Sequence, residues 1–249
     1  MWQRCADWFL LFQLCFGRSR EFLSNVHMSK SKDPRPKTIA AVLLAAGRSE
    51  RMSAFKPLLP FGKTTVVESC VDYLKAAGVE TIVVVLGHRA NEVRQQLRQT
   101  SVTFALNPAA KSEMSDSIRC GVQTLPPDMA ATLVALVDHP AIPPAVVATL
   151  ISAWENGAQL IIPTYRGRGG HPVLIDLRYR AELEQLEPSR GLRSLFENHP
   201  ASVCRLEMTS PYIARDMDTW DDYISLHQAV FGQAPPGLKE SNESTLRAI

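Results

Sequence analysis

With 249 residues and 45% hydrophobic content, the chain is long enough to bury a substantial core as one α/β domain. Its net charge of +2 is uneven: residues 1–38 hold seven Lys/Arg against three Asp/Glu, which leaves the rest at −2, without the basic face of a nucleic-acid binder. The five cysteines are scattered and include no C-x-x-C pair, which fits reduced thiols in a cytosolic protein better than a disulfide frame or a zinc site.

Residues 1–37 are expected to lie outside the fold. Trp8–Phe16 is an apolar patch interrupted by Gln13, too short to span a membrane, and no clear small-residue cleavage site follows it. Met28, followed by SKSKDPRPK, reads as a polar lead-in to the first strand and as an expected natural start of translation.

Ile39–Ala45 is an apolar run of strand length, too short for a typical helix, and reads as a fully buried strand. Gly47 breaks it and begins a polar segment containing Arg48, Arg51 and Lys56. Successive free backbone N–H groups in such a loop make an anion-binding concavity, to which basic side chains add charge. An ordinary strand-to-helix turn with solvated basic residues fits the same composition. Thr65-Val66-Val67-Glu68 has capping-box form and opens a helix with Val66, Val67, Cys70, Val71 and Leu74 on its apolar face, ending at Gly78. Thr81–Gly87 is a second buried strand, residues 91–99 an amphipathic helix, and Val102–Leu106 a third strand stopped by Asn107-Pro108. The alternation predicts parallel strands with right-handed crossovers. Ligands then sit beyond the carboxyl ends of the strands, where the Gly47 loop lies.

Ser115–Leu125 reads as a helix with Ile118, Val122 and Leu125 on one face. Ser115 is its expected cap, and a serine-rich start either offers donors to an anion or simply caps. The fourth strand, Thr132–Val137, runs into Asp138-His139-Pro140. A carboxylate there is placed to hold Mg²⁺, a cation that takes oxygen ligands, or to form the turn before a helix over Pro144–Trp154. A fifth strand over Gln159–Pro163 leads into the glycine-rich turn Arg166–Val173 and a short strand, Pro172–Ile175. Two short helical segments fall within residues 178–198, Val203–Leu206 is the last strand, and Thr219 caps the final helix. From Gly232 to Ile249 the chain is a polar tail with too few apolar residues to pack.

The string from Leu44 to Met52 (LAAGRSERM), with Lys56-Pro57-Leu58-Leu59-Pro60, resembles the signature of sugar-nucleotide-type nucleotidyltransferases. It is most similar to the molybdenum-cofactor branch, the MobA/MocA-like family. Further motifs match in order through Leu226: Asn107-Pro108 with Met114, Ser115, Ser117, Arg119 and Gly121; Asp138-His139-Pro140; the segment from Gly167 to Val173; Gly191 with Arg193; and Asp216-Met217-Asp218-Thr219. The chain departs from the family pattern at Glu113, in place of Gly, at Trp220, in place of Pro, and at Pro188-Ser189, in place of Gly-Asp. Loss of that aspartate would change which acceptor binds.

The resemblance implies a Rossmann-like three-layer α/β nucleotidyltransferase fold with a mostly parallel mixed sheet over residues 38–231. It implies a Mg²⁺-dependent enzyme in which an acceptor phosphate attacks the α-phosphorus of a nucleoside triphosphate and releases pyrophosphate. Arg51, Lys56 and Asp138 would be catalytic. Leu44, Ala45, Ala46, Gly47, Arg48, Lys56, Ser115, Ser117 and Arg119 would bind the nucleotide, and Gly169, Gly170, His171 and Arg193 the acceptor. Asp138 and Asp218 would hold the metal. Leu44-Ala45-Ala46-Gly47 is similar to CTP-using members, whereas GTP users favour a second glycine. The expected substrates are therefore CTP and a molybdopterin-type phosphate acceptor, with a recipient molybdoenzyme as partner and neither nucleic acid nor membrane. The rivals are a guanylyltransferase, a sugar- or polyol-phosphate nucleotidyltransferase, and a non-catalytic molybdopterin-binding chaperone.

Overall fold

In chain order the elements are β1 (Ile39–Ala45), β2 (Pro60–Phe61), β3 (Thr64–Thr65), α1 (Val66–Ala76), β4 (Thr81–Leu86), α2 (Ala90–Gln96), β5 (Thr103–Leu106) and α3 (Met114–Thr124). There follow β6 (Ala131–Leu136), α4 (Pro144–Glu155), β7 (Leu160–Tyr165), β8 (Arg168–Gly169), β9 (Val173–Asp176), α5 (Arg180–Leu183), α6 (Leu192–Asn198), β10 (Val203–Glu207) and α7 (Trp220–Phe231). This computed structural model describes residues 38–47, 52–108 and 113–236. The expectations for residues 1–37, for Arg48 and Arg51, and for the tail beyond residue 236 lie outside the described residues.

β1 is apolar on both faces, so a helical layer on each side is needed to bury it. Ala41, Leu43 and Ala45 enter one cluster with α1, α4 and α7; Ala40, Val42 and Leu44 enter another with α3, α5 and α6. Burying each Val or Leu side chain contributes about 1.5–3 kcal/mol relative to leaving it in water. The resulting sheet order is β10-β7-β9-β6-β1-β4-β5, with β8 beside β7. β1 pairs in parallel with β4 and β6, β4 with β5, and β7 with β10. β9 runs antiparallel to β6 and β7. The three-layer, mostly parallel mixed architecture expected from the sequence is what forms.

Local signals set most element ends. The Thr65 N–H and hydroxyl both donate to Glu68 Oε2, at 2.8 and 2.7 Å, and open α1. Gly78, at φ +87°, follows its end. α2 stops at Gln96, shorter than the expected 91–99, because Leu97 turns the chain and receives Thr100 N–H on its carbonyl at 2.8 Å. The start of α3 also differs. Asp116 accepts the Glu113 N–H at 3.1 Å, so Glu113 is the cap and Ser115 lies inside the first turn. α3 also lies close to the sheet: a Cβ on Gly121 would stand 2.3 Å from Val42 Cγ1 and 2.9 Å from Val85 Cγ2.

At α7 the Thr219 cap forms as expected, with Thr219 N–H donating to Asp222 Oδ2 at 2.8 Å and Asp222 N–H returning to Thr219 Oγ1 at 3.2 Å. The expected unpacked tail is corrected at its start. Buried His227 takes the Gly62 N–H on Nε2, donates from Nδ1 to the Gln233 carbonyl, and Pro235 is buried. Those bonds tie residues 233–235 and the β2–β3 hairpin to α7. Among the described residues no helix is long and apolar enough to cross a membrane.

Candidate functional site

β1 and β6 end side by side because they are parallel neighbours, and the Val137 N–H bond to the Leu44 carbonyl at 3.1 Å extends their pairing to the residue before Asp138. Asp138 therefore leaves the sheet beside Ala46 and Gly47. A second bond, from Met217 N–H to the Asp138 carbonyl at 3.1 Å, brings the segment ahead of α7 to the same edge. Met217 is fully buried and anchors that segment between Asp216 and Asp218. Trp220 Nε1 donates to the Met52 carbonyl at 3.0 Å, tying the start of α7 to the far side of the first loop.

Lys56 completes the cluster. It begins a tight turn stiffened by Pro57, is almost fully buried, and its Nζ lies 2.8 Å from Asp218 Oδ1. Asp138 Oδ1 is buried with no hydrogen-bond partner, although His139 Nε2 approaches it to 3.7 Å. Burial is the main cause that raises the Asp138 carboxyl above its ordinary value; His139 and Lys56 oppose the rise, and Asp216 and Asp218 add to it. Asp216 is exposed two residues before Asp218, and its charge, which reaches Asp138, was not singled out from the sequence. Its signal was present, since residues i and i+2 of an extended segment flanking a buried residue share a face.

An orphaned, buried carboxylate oxygen beside a second carboxylate fits a hard divalent cation such as Mg²⁺. Among the described residues no three His, Cys, Asp or Glu side chains group to hold a metal.

The other expected residues are distributed unequally. Leu44 and Ala45 are buried in β1, and Ala46 with exposed Gly47 forms its outlet. Gly87, at the end of β4, backs this loop so closely that a Cβ there would stand 2.7 Å from the Ala46 carbonyl oxygen. Ser115 is buried with its hydroxyl unpartnered, and Ser117 Oγ accepts from Asn107 Nδ2 at 3.0 Å. Arg119 pairs with Asp116 on its own helix.

On the opposite side, Gly169 lies in β8 and Gly170 N–H donates to the Pro163 carbonyl at 2.9 Å. The His171 N–H donates to the Ile213 carbonyl at 2.9 Å, and its ring stands 5.6 Å from that of His139. Arg193 is exposed on α6 and makes no hydrogen bond or ion pair with the Lys56–Asp138–Asp218 cluster among the described residues.

Burial, followed by the neighbouring His139, lowers the His171 imidazole from 6.5 to about 4. Its neutral form is thus favoured by folding, and the stability this represents is present above pH 6.5 and lost as pH falls toward 4. Between pH 7 and 4.5, the wild type is expected to lose about 2–3 kcal/mol more than His171→Asn in urea denaturation. Equal losses would exclude this titration.

A family model described as the MobA-like NTP transferase domain matches residues 41–203. The molybdenum cofactor cytidylyltransferase of Escherichia coli K12 is 25% identical over 193 residues, covering 75% of this chain and 94% of that protein. The nicotine blue oxidoreductase of Paenarthrobacter nicotinovorans is 28% identical over 202 residues, covering 76% and 96%. A Mycobacterium tuberculosis H37Rv protein solved in complex with manganese superposes with a TM-score of 0.67 at 27% identity, covering 78% of this chain and all (100%) of that one.

Proposed function

The chain belongs to the MobA-like NTP transferase family, and from that premise we propose that it is a cytoplasmic cytidylyltransferase joining CMP from CTP to a molybdopterin-type phosphate acceptor. Pyrophosphate leaves, and the product passes to a recipient molybdoenzyme. The observation that carries this reading is the meeting of Lys56, Asp138 and Asp218 beyond the carboxyl ends of β1 and β6, beside the Gly47 loop.

In-line transfer to the α-phosphorus needs positioning and charge neutralisation more than covalent catalysis. The Gly47 loop, with Arg48 and Arg51, would cradle the triphosphate through backbone N–H groups and guanidinium charge, and Lys56 would neutralise phosphate oxygens. Asp138 and Asp218 would hold Mg²⁺, which when bound supplies positive charge at the reacting phosphate. Support for a divalent ion comes from the manganese complex of the mycobacterial structure. The attacking acceptor phosphate is already ionised at neutral pH, so no general base is required. Ser115 and Ser117, at the start of α3, would face the nucleotide, and the Gly169–His171 turn and Arg193 would meet the acceptor. The Ala46 methyl would crowd a purine, which supports CTP over GTP, as does the name of the Escherichia coli relative.

The test is magnesium-dependent pyrophosphate release with molybdenum-loaded molybdopterin, comparing CTP, GTP and ATP. Release with CTP alone is expected. Release with GTP would replace the base assignment by guanylyl transfer, and silence with all three nucleotides despite pterin binding would favour the chaperone.

A further inference from the structure

Resting on the nucleotidyl-transfer reading, we propose that Lys56 is a placeholder cation. In the nucleotide-free protein its ammonium occupies the charge position of the Asp138–Asp218 site, and it leaves for the triphosphate when metal and nucleotide bind together.

Asp138 is half-buried at the sheet edge and the charges of Asp216 and Asp218 reach it, so an unbalanced carboxylate there is costly. The Lys56 ammonium is a balancing charge: it lies 2.8 Å from Asp218 Oδ1, and its field, with that of His139, also reaches Asp138. An ammonium is a compact point charge on a flexible stem, so it can exchange one anionic partner for another without moving the backbone. The Lys56–Leu58 turn and Pro57 hold that backbone in place. A divalent ion entering alone would meet a site already carrying a positive charge. A triphosphate entering with it gives Lys56 new oxygens and releases Asp218 to the metal. The two ligands then favour each other by the same factor, because linkage is reciprocal.

The experiment measures Mn²⁺ binding to the nucleotide-free full chain and to Lys56→Met and Lys56→Gln, with thermal melts as a check on folding. Both variants are expected to bind Mn²⁺ more tightly than the wild type, by about five- to hundredfold, the usual span of coupling between two sites. Equal or weaker binding overturns the proposal, because coupling made only through metal–phosphate bonds would not raise the nucleotide-free affinity. In the wild type itself, acetylation of Lys56, read by mass spectrometry, is expected to increase only once Mn²⁺ alone is raised high enough to saturate the site and displace the ammonium, and to fall again with CTP. No increase with Mn²⁺ likewise overturns it. Tighter Mn²⁺ binding in the variants, together with a wild type that binds none of CTP, GTP or ATP, supports the placeholder role and removes the transfer reading instead.

Discussion

Replacing Asp138 with alanine is expected to lower pyrophosphate release by roughly 10²–10³-fold, the usual cost of deleting a group that stabilises charge at a reacting centre. The fold should survive this change. Asp138 Oδ1 has no hydrogen-bond partner to lose, and the backbone carbonyl that receives Met217 N–H is retained in the variant. The stability effect has a definite sign. Burial raises the carboxyl above its ordinary value, so the folded state disfavours the ionised form, and this contribution becomes unfavourable as pH rises through that raised value. At neutral pH, removing the carboxylate should leave the melting temperature unchanged or higher. Steady-state turnover and thermal melts on one preparation check both halves. Turnover within tenfold of wild type would remove Asp138 from the chemistry, and a large loss of melting temperature would reduce its role to structure.

Gly170→Ala should behave in the opposite way, losing stability first. A Cβ at this position would stand 2.2 Å from the Ile213 carbonyl oxygen and 2.6 Å from its carbon, both backbone atoms that no rotamer change can move. Relieving the clash must separate the turn from the Pro211–Ala214 segment. The Gly170 bond to Pro163 and the His171 bond to Ile213 are the ties at stake. Overpacking plus one or two lost backbone bonds is worth about 2–3 kcal/mol, or about 5–10 °C in melting temperature for a domain of this size. An unchanged melting temperature with a weakened affinity for the phosphate acceptor would show that Gly170 serves the ligand directly. The resemblance placed this glycine at the acceptor, whereas the close backbone approach supplies a structural reason for it.

Several features were legible because their causes lie within a few residues. The apolar run of Ile39–Ala45, the Thr65–Glu68 and Thr219–Asp222 caps, and the halt at Gly78 all formed where local patterning placed them. Asp138 was legible as a strand-end carboxylate for the same reason. The cap of α3 departed from expectation because two local solutions competed. Ser115 is a good cap by type, but Asp116 reaches back to Glu113 and starts the helix earlier. Arg119, which the resemblance assigns to the nucleotide, forms an ion pair with Asp116 one turn away. At Pro188-Ser189 the altered loop is exposed, and the neighbouring Arg190 pairs with Glu187 and Glu197.

The sequence by itself determined most of the longer strands and helices and that the sheet is mostly parallel, because periodicity, caps and crossover handedness act locally or through simple chain geometry. Only the tertiary structure decided that Lys56 pairs with Asp218, 162 positions away, that the charge of Asp216 reaches Asp138, and that His139 lies against His171. Those contacts depend on the strand order and on a single backbone bond between Met217 and Asp138, which no window of neighbouring residues encodes.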